Sequence, residues 1–516
     1  MSTKALQRIQ QCIEQQAQHA KLNAFISIPD AQQWQAGGRE ADARPSGMSA
    51  SLVYLLRASD IDIEVASALQ GRPIAVKDNI ATRSLRTTAA SKILGRYTSP
   101  YDATVVSLLL DNGAVLAGKT NMDEFGMGSH SRSSFSHPVR SQLTRNGEAL
   151  SAGGSSGGSA VAVATGQSWA ALGTDTGGSV RLPAAYTGTV GFKPSYGRLS
   201  RWGVIAYANS LDTVGTLTSN TEDARTIYQC LDRFDARDPT SLPDKVRSRI
   251  VDRISLVKAR KTRAQSLRIG IPLEYNISSL AQPVKKAWVT LLDALQMAGH
   301  TLHAVSLPAT QQALSAYYVL APAEASSNLA KYDGVRYGYR TDGPDANPKE
   351  NLPLFAKTRG EGFGPEVQRR ILLGAYTLSS DAMDNYFVQA QKVRRLVQRD
   401  FDRVFALHHP LHDGDSKHCG AQEPEVDILI TPTAPTLPPT FAEVAEQTPT
   451  ENYMNDVFTV PASLAGLPAL SVPVQLNDTR SGEEVNSVGM QVIGQYGDDE
   501  LVLDVGGIIE KLQKAV

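Results

Sequence analysis

Residues 153–184 read GGSSGGSAVAVATGQSWAALGTDTGGSVRLPA, two clusters of glycine and serine separated by an apolar run of helical length. An isolated cluster of this kind most often forms a turn, because glycine and serine punctuate loops. Neither cluster is followed by the lysine that completes a phosphate-binding P-loop, so nucleotide binding is disfavoured here. Two such clusters close together suggest a third interpretation, nucleophilic catalysis by a serine.

The first cluster formally matches the Gly-x-Ser-x-Gly motif of α/β-hydrolases, with Ser155 in the middle. That motif needs an acid and then a histidine further along the chain. The later histidines stand in a strand-like stretch or in a polar loop, at positions His300, His303, His408, His409, His412 and His418. The sequence places none of them beside Ser155, so the histidine-dependent interpretation stays open without a named partner.

A lysine can also activate a serine nucleophile, provided that its amine is neutral. The apolar stretch GRPIAVKDN, residues 71–79, predicts a short buried strand that carries Lys77 at its end. Burial there would lower the pKa of Lys77 from its ordinary value of roughly 10.4. A solvent-exposed charge at the end of a strand is the alternative interpretation of the same residue.

Three segments together resemble the amidase signature family: GRPIAVKDN, GGSSGGS (residues 153–159) and GTDTGGSVRLPA (residues 173–184). The resemblance implies Lys77 as the base, Ser155 as the bridge that relays the proton, and Ser179 as the nucleophile that attacks an amide carbonyl. It also implies a cis peptide bond between Gly154 and Ser155. The small residues of the second cluster would let successive backbone N–H groups converge into an oxyanion hole, those of Thr176, Gly177, Gly178 and Ser179.

Longer segments resemble one branch of this family, the A subunits of glutamine-dependent aspartyl/glutamyl-tRNA amidotransferases, over nearly the whole chain. The matching segments are residues 71–80, 117–129, 190–215, 361–374 and 455–473. Such a subunit is a glutaminase, which hydrolyses glutamine to glutamate and ammonia. The resemblance implies that Arg370 binds the α-carboxylate of glutamine, a contact that suits a planar guanidinium, and that Asp456 receives the α-ammonium. Taken alone, these residues would be a helix-face cation and a helix-cap aspartate.

The same resemblance implies partners. A B subunit would bind tRNA and use the ammonia with ATP and Mg²⁺ to convert Glu-tRNA(Gln) to Gln-tRNA(Gln), or Asp-tRNA(Asn) to Asn-tRNA(Asn), and a small third subunit would complete the complex. We expect no cofactor or metal in this chain itself. Its net charge is −1, from 51 Lys and Arg against 52 Asp and Glu, so a partner would have to hold the tRNA.

Two competing functions share parts of this pattern. A stand-alone amidase acting on another small or lipid amide would need Lys77, Ser155 and Ser179, but not the ammonium-binding Asp456. A catalytically idle assembly subunit would carry a broken triad, whereas all three triad residues are present here.

Apolar runs of strand length alternate with helical ones along the chain, which predicts an α/β fold. The family resemblance adds a central mixed sheet flanked by helices. Strands are predicted within residues 71–79, 267–275 and 426–435, a helix and then a strand within 102–121, and a buried helix over 159–171. We expect a single amidase domain over residues 1–516, with a helical region over about 1–70 and a helical insertion over about 282–407.

The N-terminal residues favour a mature helix, with Leu6, Ile9 and Ile13 on one face, over an incomplete mitochondrial presequence. The apolar run 461–474 holds three prolines and is shorter than the roughly 20 residues that span a bilayer, so no membrane span is expected. Three scattered cysteines argue against a disulfide framework and for a reducing compartment, namely Cys12, Cys230 and Cys419.

Residues 408–425 look like an insertion relative to the bacterial pattern. Their four histidines and one cysteine lack a paired zinc-binding motif, so we expect a solvated loop. This segment and residues 378–391 resemble eukaryotic organellar versions of the subunit. That resemblance favours the mitochondrial matrix over the cytoplasm of a bacterium.

Overall fold

The computed structural model of the chain describes residues 3–43, 69–261, 266–347, 349, 353–411, 425–476 and 485–515. Its strands are β1 (Phe25–Ser27), β2 (Pro73–Lys77), β3 (Val115–Thr120), β4 (Arg140–Arg145), β5 (Glu148–Ser151), β6 (Ala170–Asp175), β7 (Val190–Lys193), β8 (Thr213–Thr218), β9 (Arg268–Pro272), β10 (Thr301–Val305), β11 (Ile428–Pro432), β12 (Ala469–Gln475) and β13 (Ser487–Ile493). The described helices are α1 (Thr3–Gln18), α2 (Ala31–Ala43), α3 (Thr104–Asp111), α4 (Gly157–Ala164), α5 (Arg181–Thr187), α6 (Thr221–Leu231), α7 (Asp244–Lys261), α8 (Gln282–Met297), α9 (Ala313–Asn328), α10 (Ala356–Gly362), α11 (Pro365–Thr377), α12 (Phe387–Val404), α13 (Phe441–Glu446), α14 (Pro449–Tyr453), α15 (Val460–Ala465) and α16 (Asp499–Ala515).

Eleven of the described strands form one mixed sheet, in the order β1-β3-β2-β6-β8-β7-β12-β13-β11-β9-β10. Strands β3, β2 and β6 run parallel to one another, as do β11, β9 and β10, while the pairs between these two groups are antiparallel. Every residue of β2, β6, β8 and β11 is buried. Strands buried on both faces are mostly apolar, and β2 and β11 therefore stand out in the sequence as short apolar runs, whereas β8 buries three threonines among its six residues. The predicted central mixed sheet with flanking helices is confirmed.

Most of the predicted elements lie where the sequence places them. The strands predicted in residues 71–79, 267–275 and 426–435 are β2, β9 and β11, and residues 102–121 contain α3 followed by β3. The buried helix predicted over residues 159–171 is wrong in its second half. Helix α4 ends at Ala164, Gly166 takes a left-handed conformation with φ of 70°, and Ala170 already begins β6. An apolar run of this length does not by itself distinguish a buried helix from a buried strand.

The segment predicted as a helical insertion contains one strand of the sheet. Strand β10 pairs in parallel with β9, and α8 is the crossover between them. Of the helices that follow, α9 packs against both α11 and α12. At Gly374 the backbones of α9 and α11 come so close that a Cβ atom there would lie 2.0 Å from the carbonyl oxygen of Pro322. This close packing fixes the position of α11, which carries Arg370.

The N-terminal helix forms as predicted, but with a different buried face. Helix α1 buries Ala5, Ile9, Cys12 and Gln16, whereas Leu6 and Ile13 are 44% and 37% exposed. Two polar contacts set this orientation: Cys12 Sγ donates to the carbonyl of Gln167 at 2.8 Å, and Gln16 Nε2 donates to the carbonyl of Ala117 at 2.9 Å. The buried stripe is therefore chosen by backbone acceptors on the sheet side rather than by the largest apolar residues.

None of the helices in the described ranges is both long enough and apolar enough to cross a bilayer. Cys12 and Cys230 are buried free thiols. Cys419, His412, His418 and most of the predicted loop 408–425 lie outside the described residues, as do residues 44–68 of the predicted N-terminal region.

Candidate active site

Lys77 and Ser155 form the centre of the site. Lys77 is the last residue of β2 and is fully buried. Its Nζ donates to Ser155 Oγ at 2.8 Å, to Thr174 Oγ1 at 3.0 Å and to the Thr174 carbonyl at 3.2 Å. Thr174 lies in β6, the neighbouring parallel strand, so the sheet itself positions two of the three acceptors. The interpretation of Lys77 as a solvent-exposed charge is wrong.

Burial changes the protonation of this lysine. Loss of hydration lowers the pKa of Lys77 to about 7, against the opposing effect of the buried carboxyl groups of Asp123, Asp175 and Asp212. A substantial fraction of the amine is then neutral near pH 7. A neutral amine at hydrogen-bond distance from a hydroxyl can act as a general base.

The two glycine-serine clusters meet in the structure. The peptide bond between Gly154 and Ser155 is cis, as the family resemblance implies. A Cβ atom on Gly154 would lie 2.3 Å from Asp123 Oδ2, so only glycine fits this position. The backbone N–H of Ser156 donates to the carbonyl of Ser179 at 3.1 Å, which ties the first cluster directly to the second.

Residues 176–179, which we call the oxyanion loop, follow directly after β6. Thr176, Gly177 and Gly178 are buried, and Ser179 is partly exposed. Within the described part of the chain, none of the four backbone N–H groups donates a hydrogen bond to the protein. Gly178 has φ of 144°, and a Cβ atom there would lie 2.2 Å from Thr459 Oγ1. Free N–H donors on a close-packed loop are what an oxyanion hole requires.

A buried ion pair behind the oxyanion loop escaped the sequence reasoning. Arg181 donates to both carboxylate oxygens of Asp175, from Nε at 3.0 Å and from Nη2 at 2.9 Å, and both side chains are fully buried. Arg181 also donates to the Thr459 carbonyl, Gln491 and Ser463. Burial by itself would raise the pKa of Asp175, but Arg181 holds it below its ordinary value. The pair thus clamps both ends of the loop that carries Ser179. The signal available in the sequence was an aspartate directly before Thr-Gly-Gly-Ser and an arginine two residues after it.

Arg370 lies on the buried face of α11. Its Nε donates to Glu366 Oε1 at 2.8 Å, and its Nη1 donates to the hydroxyl of Tyr207 at 2.7 Å. The guanidinium carbon lies 5.8, 5.3 and 5.6 Å from the ring centroids of Tyr207, Tyr318 and Tyr453. Aromatic faces stabilise a cation at such distances, so the guanidinium remains charged although it is buried.

Asp456 lies close to Arg370, although 86 positions separate them in the chain. Its Oδ2 accepts hydrogen bonds from Ser129 Oγ at 3.1 Å and from the hydroxyl of Tyr318 at 3.0 Å. Burial raises the pKa of Asp456 to about 7, which Tyr318, Ser129 and Arg370 partly counteract. Tyr318 therefore contacts both residues, with its ring beside the guanidinium and its hydroxyl on the carboxyl group. The sequence reasoning did not identify Tyr318, Tyr207 or Ser129.

A cavity of about 710 Å³ opens beside this pair. It is lined by residues from the loop that follows β3, from the start of α11 and from α14, including Asp123, Ser129, Arg370 and Tyr453. Lys77, Ser155 and Ser179 are not among the lining residues. Arg370 lines the cavity directly, whereas Asp456 does not line it but accepts a hydrogen bond from Ser129, which does.

The histidine-dependent interpretation is wrong for every candidate that the structure describes. The ring of His300 accepts from the backbone N–H of Leu267, and the ring of His303 contacts Thr301 at the β10 edge of the sheet. His409 stacks on Tyr496, and His408 follows the end of α12. His130, which lines the cavity, contacts Ser151 Oγ at 2.8 Å and is kept neutral because burial lowers its pKa to about 4. Among the residues described, no group of three or more His, Cys, Asp or Glu side chains could hold a metal ion.

The protein-family model described as Amidase matches residues 50–503. The A subunit of the mitochondrial glutamyl-tRNA(Gln) amidotransferase of Coccidioides posadasii is 55% identical over 516 residues, with 98% of this chain and 99% of that protein covered. The protein of the same name from Emericella nidulans is 55% identical over 511 residues, covering 97% of this chain and 98% of its own. The crystal structure of the A subunit of the Thermotoga maritima glutamyl-tRNA(Gln) amidotransferase superposes with a TM-score of 0.70 at 31% identity, covering 99% of this chain and 92% of that chain.

Proposed function

We propose, from the premise that this chain belongs to the amidase family, that it is the glutamine-hydrolysing A subunit of a glutamyl-tRNA(Gln) amidotransferase. One observation carries the proposal beyond amide hydrolysis in general. Arg370 and Asp456 are both buried and both contact Tyr318, so a positive side chain and a carboxyl group lie beside the same tyrosine. An α-amino acid presents the two complementary charges on one carbon. A simple aliphatic amide has neither.

In this function Arg370 binds the α-carboxylate of glutamine and Asp456 binds the α-ammonium. The cationic ammonium stabilises the ionised form of Asp456, so substrate binding lowers the pKa that burial has raised to about 7. A substrate without the ammonium would leave the pKa of Asp456 raised, as it is in the empty site. Recognition of the two charges therefore favours free glutamine over other amides.

The chemical step uses the triad Lys77, Ser155 and Ser179. Neutral Lys77 takes the proton of Ser155 Oγ as Ser155 takes the proton of Ser179 Oγ, and Ser179 Oγ attacks the carboxamide carbon. The backbone N–H groups of Thr176, Gly177 and Gly178 stabilise the negative oxygen that forms, each contributing about 3 kcal/mol. The proton returns along the relay to the departing nitrogen, and ammonia leaves. Water then hydrolyses the glutamyl ester by the same relay and releases glutamate.

A partner protein uses the ammonia that this reaction releases. We propose a B subunit that binds the misacylated tRNA and activates it with ATP and Mg²⁺, together with a small third subunit. The names of the relatives, which are A subunits of glutamyl-tRNA(Gln) amidotransferases, support a complex and favour Glu-tRNA(Gln) over Asp-tRNA(Asn) as the acceptor. Their mitochondrial designation supports the mitochondrion as the site of action. We also propose one amidase domain over residues 1–516, which the eleven-stranded sheet with strands from Phe25 to Ile493 supports.

The test measures ammonia release from glutamine and from butyramide by the purified chain, alone and with Glu-tRNA(Gln) and a B subunit. Glutamine-selective release that increases with the partner and disappears in Ser179→Ala would support the proposal. Equal hydrolysis of butyramide by the lone chain would make the protein a stand-alone amidase. Absence of release from both substrates in the full complex would favour the idle assembly subunit.

A further inference from the structure

The segment 207–212, which we call the 207–212 turn, contacts both Arg370 and the oxyanion loop. Its first residue, Tyr207, accepts a hydrogen bond from Arg370 Nη1 through its hydroxyl at 2.7 Å. Its last residue, Asp212, accepts one from the hydroxyl of Thr176 in the oxyanion loop at 2.8 Å. Neither Tyr207 nor Asp212 was predicted from the sequence, and neither belongs to the proposed triad or to the pair of charges that binds the substrate.

Asp212 is held at the oxyanion loop by the sheet. Strands β6 and β8 are antiparallel, with Asp175 opposite Thr213, so Thr176 and Asp212 are the next pair beyond the ladder. The Asp212 carboxyl group is 4% exposed. A buried carboxyl group needs donors for both oxygens, and Thr176 Oγ1 supplies the one on Oδ1. Rotation of the Thr176 side chain, or movement of the loop that carries it, would leave that oxygen without this donor.

Hydrogen bonds within the turn connect its two ends. Asp212 Oδ2 accepts from the backbone N–H groups of Tyr207 and Ala208 at 2.9 and 3.0 Å, and the backbone N–H of Asp212 donates to the Ala208 carbonyl at 2.8 Å. Asn328 in α9 donates from Nδ2 to the Tyr207 carbonyl at 3.0 Å. One carboxyl group therefore joins the backbone of Tyr207 to the side chain of Thr176. A displacement at either end reaches the other through these few bonds.

We propose that the 207–212 turn couples capture of the substrate carboxylate by Arg370 to the geometry of the oxyanion loop, with Tyr207 and Asp212 as positioning residues. The inference rests on the proposed glutaminase function and adds a specificity mechanism to it. Binding energy from a remote carboxylate raises kcat only when it is used in the transition state. Through the turn, the carboxylate of the substrate increases the rate of acylation as well as the affinity.

Three amides separate the effect of the carboxylate on the rate from its effect on the affinity. They are glutamine, glutaramate, which keeps a carboxylate but lacks the ammonium, and butyramide, which lacks both. With the wild-type complex, we expect glutaramate to exceed butyramide in kcat and not only in kcat/KM. Tyr207→Phe keeps the ring beside Arg370 but removes the acceptor. It should reduce the advantage of glutaramate over butyramide in kcat by about tenfold, a typical loss for one hydrogen bond to a charged group.

The other end of the turn is tested at Thr176. Thr176→Val removes the hydroxyl at nearly constant shape, and Thr176→Ser keeps it. Thr176→Val should reduce the advantage of glutaramate over butyramide in kcat by about tenfold, as Tyr207→Phe does, and Thr176→Ser should stay near the wild type. Asp212→Ala combined with Thr176→Val should cost little more than Asp212→Ala alone, because Asp212→Ala already removes the contact with Thr176.

Tyr228→Phe is the matched control. It removes the hydroxyl of a buried tyrosine that contacts Asp232, away from the site, and should leave the ratios of the three substrates unchanged. The coupling is refuted if Tyr207→Phe lowers kcat equally for glutaramate and butyramide, or changes only KM. Failure of the glutaminase proposal gives a different result, since wild-type protein would then show no preference for glutamine over butyramide.

Discussion

Lys77 Nζ lies 2.8 Å from Ser155 Oγ, although 78 positions separate the two residues in the chain. The contact exists because β2 ends beside the turn that precedes α4, inside a sheet that excludes water from the amine. Burial supplies the neutral lysine, and proximity places it beside the hydroxyl whose proton we propose it accepts. The same contact determines what the following variants should do.

Ser179→Ala should abolish both the acyl-enzyme and ammonia release. The nucleophilic oxygen is lost, whereas the hydrogen bond from Ser156 N–H to the carbonyl of residue 179 remains. The measurement is ammonia release together with mass spectrometry of enzyme quenched during turnover. An acyl adduct found on another serine of the variant would assign the nucleophile elsewhere. An unchanged melting temperature would show that the variant is folded.

Lys77→Ala should be nearly as damaging as Ser179→Ala, because residues that act as one relay lose their function together. The loss is measured as kcat/KM for butyramide in the wild type, the single variants and the double variant. The double variant should be little worse than either single one. A decrease of only a few fold in Lys77→Ala would point to a different base.

The pH dependence of the wild type follows from the lysine. Its pKa is about 7, and only the neutral form accepts a proton, so kcat/KM for butyramide should increase as pH rises through 7 and level off above it. Butyramide has no ammonium, so the ionisation of Asp456 does not enter this profile. For glutamine the increase should be steeper, since Asp456 must also lose its proton near pH 7 to bind the ammonium. Identical profiles for both substrates would contradict this assignment.

Asp456→Asn should lower the activity on glutamine far more than the activity on its deaminated analogue glutaramate. The amide keeps an acceptor for Ser129 and Tyr318 but has no charge for the ammonium. Loss of one partner of a buried charge pair costs about 2–5 kcal/mol, so kcat/KM for glutamine should fall at least about thirtyfold. Glutaramate turnover should change little. Equal losses on both substrates would mean that Asp456 supports the fold of the site and not the ammonium.

Arg181→Met should mainly affect stability. It leaves the fully buried Asp175 without its bidentate partner, which typically costs about 3–5 kcal/mol. The free energy of unfolding in urea is the measurement, with Arg225→Met as the control because Arg225 pairs with Glu500 and Asp504 at a more exposed position. Comparable losses of unfolding free energy in the two variants would show that the buried Asp175–Arg181 pair stabilises the fold no more than the more exposed pairs of Arg225 do.

The residues of the proposed triad were accessible from the sequence through its resemblance to the amidase signature family, whose segments are short local patterns of particular residue types. Glycine clusters around Ser155 and Ser179 and an apolar strand before Lys77 can be recognised without coordinates. The strands β2, β9 and β11 were accessible because each contains a short apolar run. The boundary between α4 and β6 was not, because an apolar run is compatible with either element.

Only the tertiary structure shows which distant residues surround Arg370 and Asp456 and which face of α1 is buried. The residues that stabilise the pair Arg370 and Asp456 come from distant segments: Ser129 lies between β3 and β4, Tyr207 before β8, and Tyr318 in α9. In the same way, the buried face of α1 follows from carbonyl acceptors at Ala117 and Gln167 that no local pattern reveals. Sequence determined which side chains can react, since reactivity belongs to residue type. The fold determined their protonation and substrate contacts, since both depend on burial and on neighbours brought together from across the chain.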